Sequence, residues 1–217
     1  YFRRSLKALT FSDLPKPLFV VATNLDTLER VVFDSGVVVQ SVMASCAIPG
    51  LFRPYELEGV RYADGAITEP LPVNALRESA DCDIIIAVNT IPTVGDLHAR
   101  HLEKNAETEH LGSAGRVAHW LGGWANLAAP GNIGDTLSRS VLALQIRLAD
   151  QAAASADVAI HPVSEEAAWH DYHNYQRYID LGVSAAKAKL PDILRLIDAW
   201  SPKDDVSADV RSSAMIS

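Results

Sequence analysis

The sequence predicts an α/β domain built on a mainly parallel sheet, and three observations carry that prediction. Short apolar, β-branched runs alternate with helix-patterned stretches of ten residues or more, the spacing that crossover connections require. Two of those runs, Leu18–Thr23 and Asp83–Val88, are apolar nearly throughout instead of alternating, as strands covered on both faces are. The 217 residues are 48% hydrophobic and 21% charged, a composition that supports a sizeable core and excludes disorder, collagen and coiled coil.

Taken in order, Leu18–Thr23 predicts a strand ended by Asn24, and Glu29–Phe33 its hairpin partner. Val37–Ser45 predicts a short helix stopped ahead of Pro49, because the residue before a proline is pushed out of the α region. Tyr55–Leu57 and Val60–Tyr62 flank Glu58-Gly59, a two-residue turn signal for a second hairpin. A helix over Leu71–Ala80 then leads into Asp83–Val88, the clearest candidate for a buried strand. A long helix from about Gly134 to Ala153 precedes another strand at Ala156–Ile160. Tyr172, Tyr175, Ile179 and Val183 fall at helical spacing, and Pro191 suits the first turn of a separate last helix ending near Trp200. The expected organisation is one domain over residues 1–200 and a polar tail over 201–217.

Charge and composition exclude several functions. Nineteen Lys and Arg stand against 27 Asp and Glu, a net charge of −8, and no basic cluster exceeds Arg3-Arg4, so nucleic acid is not an expected partner. Cys46 and Cys82 have no zinc-like spacing and read as buried thiols. His170 and His173 sit three residues apart, and His101 follows Arg100, but no third ligand is in view; no metal and no organic cofactor is expected. Two stretches of 18 residues, Ser35–Phe52 and Val117–Gly134, lack charge, yet their prolines, glycines and amides exclude a spanning helix. Within the second, Val117, Trp120, Leu121, Trp124 and Leu127 form an apolar helical stripe. Packing on the sheet is preferred to a role at a lipid surface, because the opposite face lacks Lys and Arg.

The informative stretch is Ala44-Ser45-Cys46-Ala47-Ile48-Pro49-Gly50-Leu51-Phe52-Arg53-Pro54, followed by Tyr62-Ala63-Asp64-Gly65-Ala66 and then Glu69-Pro70-Leu71-Pro72-Val73. In this order the three blocks resemble the second half of a patatin-like phospholipase domain, and the likeness extends roughly from Leu6 to Leu196. The resemblance implies a three-layer α/β/α sandwich, here lacking its N-terminal strands. It also implies a lipid acyl hydrolase that uses a Ser-Asp dyad. Asp64 matches the aspartate of that dyad, with Gly65, Ser45 and Pro49 as supporting motif positions. A serine hydroxyl becomes an effective nucleophile when a positioned base takes its proton, and a carboxylate does so better when partial burial raises its pKa. Gly65 would allow a tight turn beside the acid. Ser45 and Cys46 read as a helix terminus and a packed thiol in preference to a nucleophile, and Pro49, Pro54, Pro70 and Pro72 as loop-fixing residues. Asn24 stands where the family often has aspartate, which touches only a local hydrogen bond. Ala66 replaces a second glycine.

No G-x-S-x-G elbow and no glycine-rich oxyanion loop occurs in the sequence, and Gly112-Ser113-Ala114-Gly115 has the wrong spacing. Opening on Tyr1 without an initiator Met or a leader pattern, the chain is expected to be a piece whose nucleophile half precedes it and which is inactive alone. The expected partners are a lipid or ester substrate, the N-terminal half of the same polypeptide and, as an option, a membrane surface; the expected location is cytoplasmic or peripheral to a membrane. Two rivals remain. One is a non-catalytic patatin-like module that binds or regulates at membranes. The other is a nucleotide-binding domain, disfavoured because no strand is followed by G-x-G-x-x-G or a P-loop.

Overall fold

A computed structural model describes residues 9–95, 133–162 and 172–200. Strand β1 (Val20–Asn24) pairs antiparallel with β2 (Arg30–Phe33), Val21 facing Val32 and Ala22 facing Val31. Asn24 shapes the turn between them: its Oδ1 accepts the Asp26 amide at 2.8 Å and the Thr27 amide at 3.2 Å. The local hydrogen bond that the Asn24 substitution put in question is therefore present. Helix α1 (Val38–Ser45) follows and packs on β1 and β4 through Val38, Val39 and Ala44.

The second hairpin joins β3 (Tyr55–Leu57) to β4 (Val60–Asp64) through Glu58 and Gly59, which have φ of 53° and 80°. Two consecutive positive φ values are what a type I′ turn demands, and the right-handed twist of the strands selects that turn. β4 also pairs with β1, giving an antiparallel sheet of order β2-β1-β4-β3. Helix α2 (Val73–Ser79) leads to β5 (Ile86–Val88). Helix α3 (Ile133–Ser155) precedes β6 (Val158–Ile160), which lies parallel to β5. Helix α4 (Tyr175–Ala199) closes the described chain.

Six strands and four α-helices among the described residues uphold the α/β class. Among the described residues, however, the pairing is not mainly parallel: the four-stranded sheet is antiparallel throughout, and the parallel pair β5–β6 forms a separate two-stranded sheet. Connection length accounts for two of the antiparallel pairings, β1–β2 and β3–β4, since short hairpin turns cannot make the crossovers that parallel pairing needs. Nor do the described residues cover the strand at Ile86–Val88 on both faces. Ala87 is buried, but Ile86 and Val88 remain 43% and 51% exposed. A third difference falls at Pro191, which lies inside the single 25-residue helix α4 instead of starting a new one. Its ring accepts helical φ; what it costs is the amide hydrogen bond to the Lys187 carbonyl and the crowding of that carbonyl by the ring.

The main apolar cluster gathers Leu71, Val73, Ile85, Ala87, Ala149 and Ala152 where α2, β5 and α3 meet. Polar anchors fix its borders. Asp157 Oδ2 accepts the Ile85 amide at 2.8 Å, and the Arg77 guanidinium donates to the Ser155 carbonyl at 2.9 Å, closing the end of α3. Glu69, only 9% exposed, joins the antiparallel sheet to α2. Its Oε1 accepts the Asn74 and Ala75 amides in the first turn of α2 at 2.9 and 3.1 Å, and its Oε2 takes Arg30 Nη1 at 2.6 Å. The other nitrogen of Arg30 pairs with Glu78 on α2.

A carboxylate satisfied by two amides and a guanidinium in a shielded place contributes far more than an ion pair in water. Glu69→Ala is therefore expected to lower unfolding stability by about 2–3 kcal/mol. Arg61→Ala, which breaks the exposed pair with Asp26, should cost roughly 1 kcal/mol or less. Urea denaturation of the two variants compares them directly.

Candidate functional site

Asp64 is the last residue of β4, where the chain leaves the sheet and turns through a short 3-10 segment, Gly65–Ile67. Its position is fixed from three sides. The Asp64 amide donates to the Ala47 carbonyl at 3.0 Å, which ties β4 to the segment after α1. The Asp64 carbonyl accepts the Thr23 hydroxyl at 2.9 Å. The carboxylate folds back so that Oδ1 accepts the Ala66 amide at 2.8 Å, an Asx turn that caps the 3-10 segment.

Gly65 is required for a reason other than a positive φ. A Cβ at this position would meet the Val21 carbonyl oxygen, with the Val21 carbonyl carbon at 2.8 Å and Cγ1 at 3.2 Å. Two stretches of backbone come together where only hydrogen fits, and backbone cannot give way as a flexible side chain can.

Burial pushes the Asp64 carboxyl above the usual carboxylate range, and the Ala66 amide pulls it partly back. Asp64 is half-buried and forms no ion pair among the described residues, where its Oδ2 has no hydrogen-bond partner either. A carboxylate with one oxygen held and one oxygen free is arranged to take a proton from a hydroxyl brought against it.

The sequence block before Asp64 lies beside it. Ile48-Pro49-Gly50-Leu51 is a tight turn in which the Leu51 amide donates to the Ile48 carbonyl at 3.1 Å and Gly50 has φ of 84°. Proline followed by a left-handed glycine is the pattern of a type II turn, so Pro49 acts on the loop's shape. The turn displays Ile48, Leu51 and Phe52, the last 62% exposed, as an apolar rim on the segment that follows Ala47, whose carbonyl holds the Asp64 amide. Ser45, half-buried, ends α1.

Cys46 does not match its expected burial. The residue follows the end of α1 and is exposed, because the chain turns away there toward Ala47. Partial shielding of its sulfur and then the charge of Asp64 push the thiol up, which places the thiol within the field of the acid. Cys82 is half-buried against the main apolar cluster. His173 sits in a 3-10 turn over Tyr172–Asn174. His101, His170, Ser113, the Val117–Leu127 stripe and the 201–217 tail lie outside the described residues. Among the described residues no group of three or more His, Cys, Asp or Glu could hold a metal, and no helix is long and apolar enough to cross a membrane.

A separate cavity of about 510 Å³ opens between Arg30, Thr68, Glu69 and Asn74 on one side and Leu148 and Gln151 of α3 on the other. Asp64 does not line it. The sequence assigns no role to three residues that matter here: Thr23, Thr68 and Glu69. The signal for Thr23 was available, since a hydroxyl in an otherwise apolar buried run must find a partner.

Residues 1–77 match the family model described as patatin-like phospholipase, which shows the resemblance over that stretch. The match contains Asp64, Gly65 and the proline block, and it ends within α2, well short of Leu196. The chain is also 35% identical over 103 residues to uncharacterized NTE family proteins of Mycobacterium tuberculosis (strain ATCC 25618 / H37Rv) and Mycobacterium bovis. That similarity covers 48% of this chain and 28% of each relative, so the chain spans less than a third of their length.

Two measurements check the geometry. Gly65→Ala is expected to cost about 2–3 kcal/mol in chemical denaturation, since the added methyl meets main chain. Asp64→Asn removes the charge that disfavours the Cys46 thiolate. Iodoacetamide should then alkylate Cys46 roughly two- to fivefold faster at pH 8 than in the wild-type chain.

Proposed function

We propose that this chain is part of a lipid acyl hydrolase, a serine esterase of phospholipids or lysophospholipids, and that Asp64 is the acid–base half of a Ser-Asp dyad. What supports the reading is the Asp64 carboxylate itself: half-buried, raised in pKa and, among the described residues, unpaired with any cation and with one oxygen free of hydrogen bonds. The family likeness over residues 1–77 supports it independently. The serine belongs to sequence outside these 217 residues, which hold no G-x-S-x-G.

In the proposed reaction the serine oxygen attacks the ester carbonyl carbon while its proton passes to Asp64. The tetrahedral intermediate collapses, the bond to the alcohol breaks, and Asp64 returns the proton to the departing oxygen. Water then attacks the acyl-enzyme, giving a proton to Asp64, and the released serine recovers it. No metal or organic cofactor takes part in this scheme. The apolar rim of Ile48, Leu51 and Phe52 gives acyl chains a surface to meet near the acid.

The three-layer sandwich belongs to the same proposal. Helices α3 and α4 leave apolar stripes exposed, Leu137, Val141 and Leu144 on one and Ile179, Val183, Leu190 and Leu194 on the other. The remainder of the domain, in a polypeptide as long as the relatives, would cover such faces.

The test is Asp64→Asn in the full-length protein, assayed on a p-nitrophenyl ester and on lysophosphatidylcholine micelles. Hydrolysis should fall by several orders of magnitude, on the order of 10³ or more. The thermal midpoint at neutral pH should stay nearly unchanged, since asparagine keeps the bond to Ala66 and the ionised carboxylate was not stabilising the fold there. Activity kept at a tenth of wild type or above removes Asp64 from the mechanism. A wild-type protein inert on both substrates favours the non-catalytic binding module.

A further inference from the structure

We infer that Thr23 and Thr68 form a two-hydroxyl clamp that orients the Asp64 carboxylate through the Asp64–Gly65 peptide. This rests on the reading of Asp64 as the proton acceptor and adds the residues that aim it. Neither threonine touches the carboxylate, so both are positioning residues.

The two hydroxyls lie 3.0 Å apart, and Thr23 Oγ1 is 2.9 Å from the Asp64 carbonyl oxygen. Thr68 Oγ1 lies 3.3 Å from the Gly65 carbonyl, which already accepts the Thr68 and Glu69 amides at 3.1 and 2.9 Å. Each hydroxyl has one proton. With the Gly65 carbonyl supplied by main chain, the arrangement that satisfies most groups runs in one direction: Thr68 donates to Thr23, and Thr23 donates to Asp64. Hydrogen bonds in such a chain polarise one another and strengthen the last one. Thr23 is 2% exposed, so water does not compete for that bond.

The consequence reaches the carboxylate through geometry. The carbonyl of Asp64 and the amide of Gly65 belong to one rigid plane. Holding the carbonyl sets that plane, and Gly65 joins it to the next one, in which the Gly65 carbonyl, held by the Thr68 and Glu69 amides, shares a plane with the Ala66 amide; with both planes held, the Ala66 amide has one direction. The Ala66 amide holds Oδ1, so the clamp decides which carboxylate oxygen is tied down and which is free. Gly65, pressed on Val21, keeps the same plane from sliding along β1.

Loss of the clamp should therefore slacken the Ala66–Oδ1 bond. That bond favours the ionised form, so Asp64 would bind its proton more tightly and the acid limb of the pH–rate profile would move to higher pH. Cys46, the titratable neighbour beyond α1, stays protonated across that range and does not contribute.

The experiment uses the full-length protein and a p-nitrophenyl ester. Thr23→Val removes the hydroxyl and keeps the shape; kcat should fall about tenfold with KM changed less than twofold, and the acid limb should shift upward. Thr23→Ser should restore both. A variant that merely unfolds a fraction of the molecules lowers apparent kcat but leaves the limb in place. Should Thr23→Val not fold, Thr68→Val at the half-buried first link carries the same test, with Thr68→Ser as its rescue. A wild-type kcat and limb in the valine variants overturns the clamp, and so does failure of the serine variants to restore them. If Asp64→Asn is inactive while both valine variants behave as wild type, only the clamp fails. An active Asp64→Asn overturns the reading of Asp64 and the clamp together.

Discussion

The approach of Gly65 to the backbone of Val21 is the constraint on which the rest of this structure depends. It brings the end of β4 against β1 more closely than any side chain would permit, and it does so at the residue after Asp64. From that contact follow the register of β1 with β4, the turn that leads toward Glu69, and the place where the carboxylate emerges. The sheet does not carry the acid on a loose loop. Asp64 ends a strand whose neighbours are bonded on both edges, so its main chain is as well determined as any in the molecule.

Buried polar groups around this contact are each given a partner, and they divide into two kinds. Glu69 is surrounded by donors: two amides of α2 and the guanidinium of Arg30. Asp64 is given one amide and no cation among the described residues. Both are partly removed from water, yet the first is met by donors on both oxygens and the second is buried at a cost. Glu69 serves the fold by joining sheet to helix. Asp64, raised by burial and without a described cation, is the carboxylate placed to take up a proton.

Much of the architecture was legible in the sequence because it is written in local chemistry. Glu58-Gly59 announced a hairpin through the backbone conformation it tolerates, and Leu18–Thr23 announced β1 through its unbroken apolar run. The direction of the pairing was less visible: two hairpins next to each other already imply an antiparallel sheet, but the helical spacing further along suggested crossovers. Asp64 and Gly65 could be singled out by their motif. The clamp of Thr23 and Thr68 could not, because it joins positions 45 residues apart that only the β1–β4 register brings together. Cys46 departs from its sequence expectation for a similar reason. A small thiol after an apolar helix reads as packed, and only the turn toward Ala47 exposes it.

Asp64 and Glu69 are separated by four residues, Gly65 to Thr68, and both ends of that short bridge are moored to different layers. One end is fastened to β1 through Thr23 and the other to α2 and β2 through Glu69 and Arg30. A bridge moored in this way has no slack. Substitution within it can be absorbed at a stated energetic cost, but a single inserted or deleted residue would force a choice between the two moorings. The length of this stretch is therefore a stricter inheritance than most of its side chains.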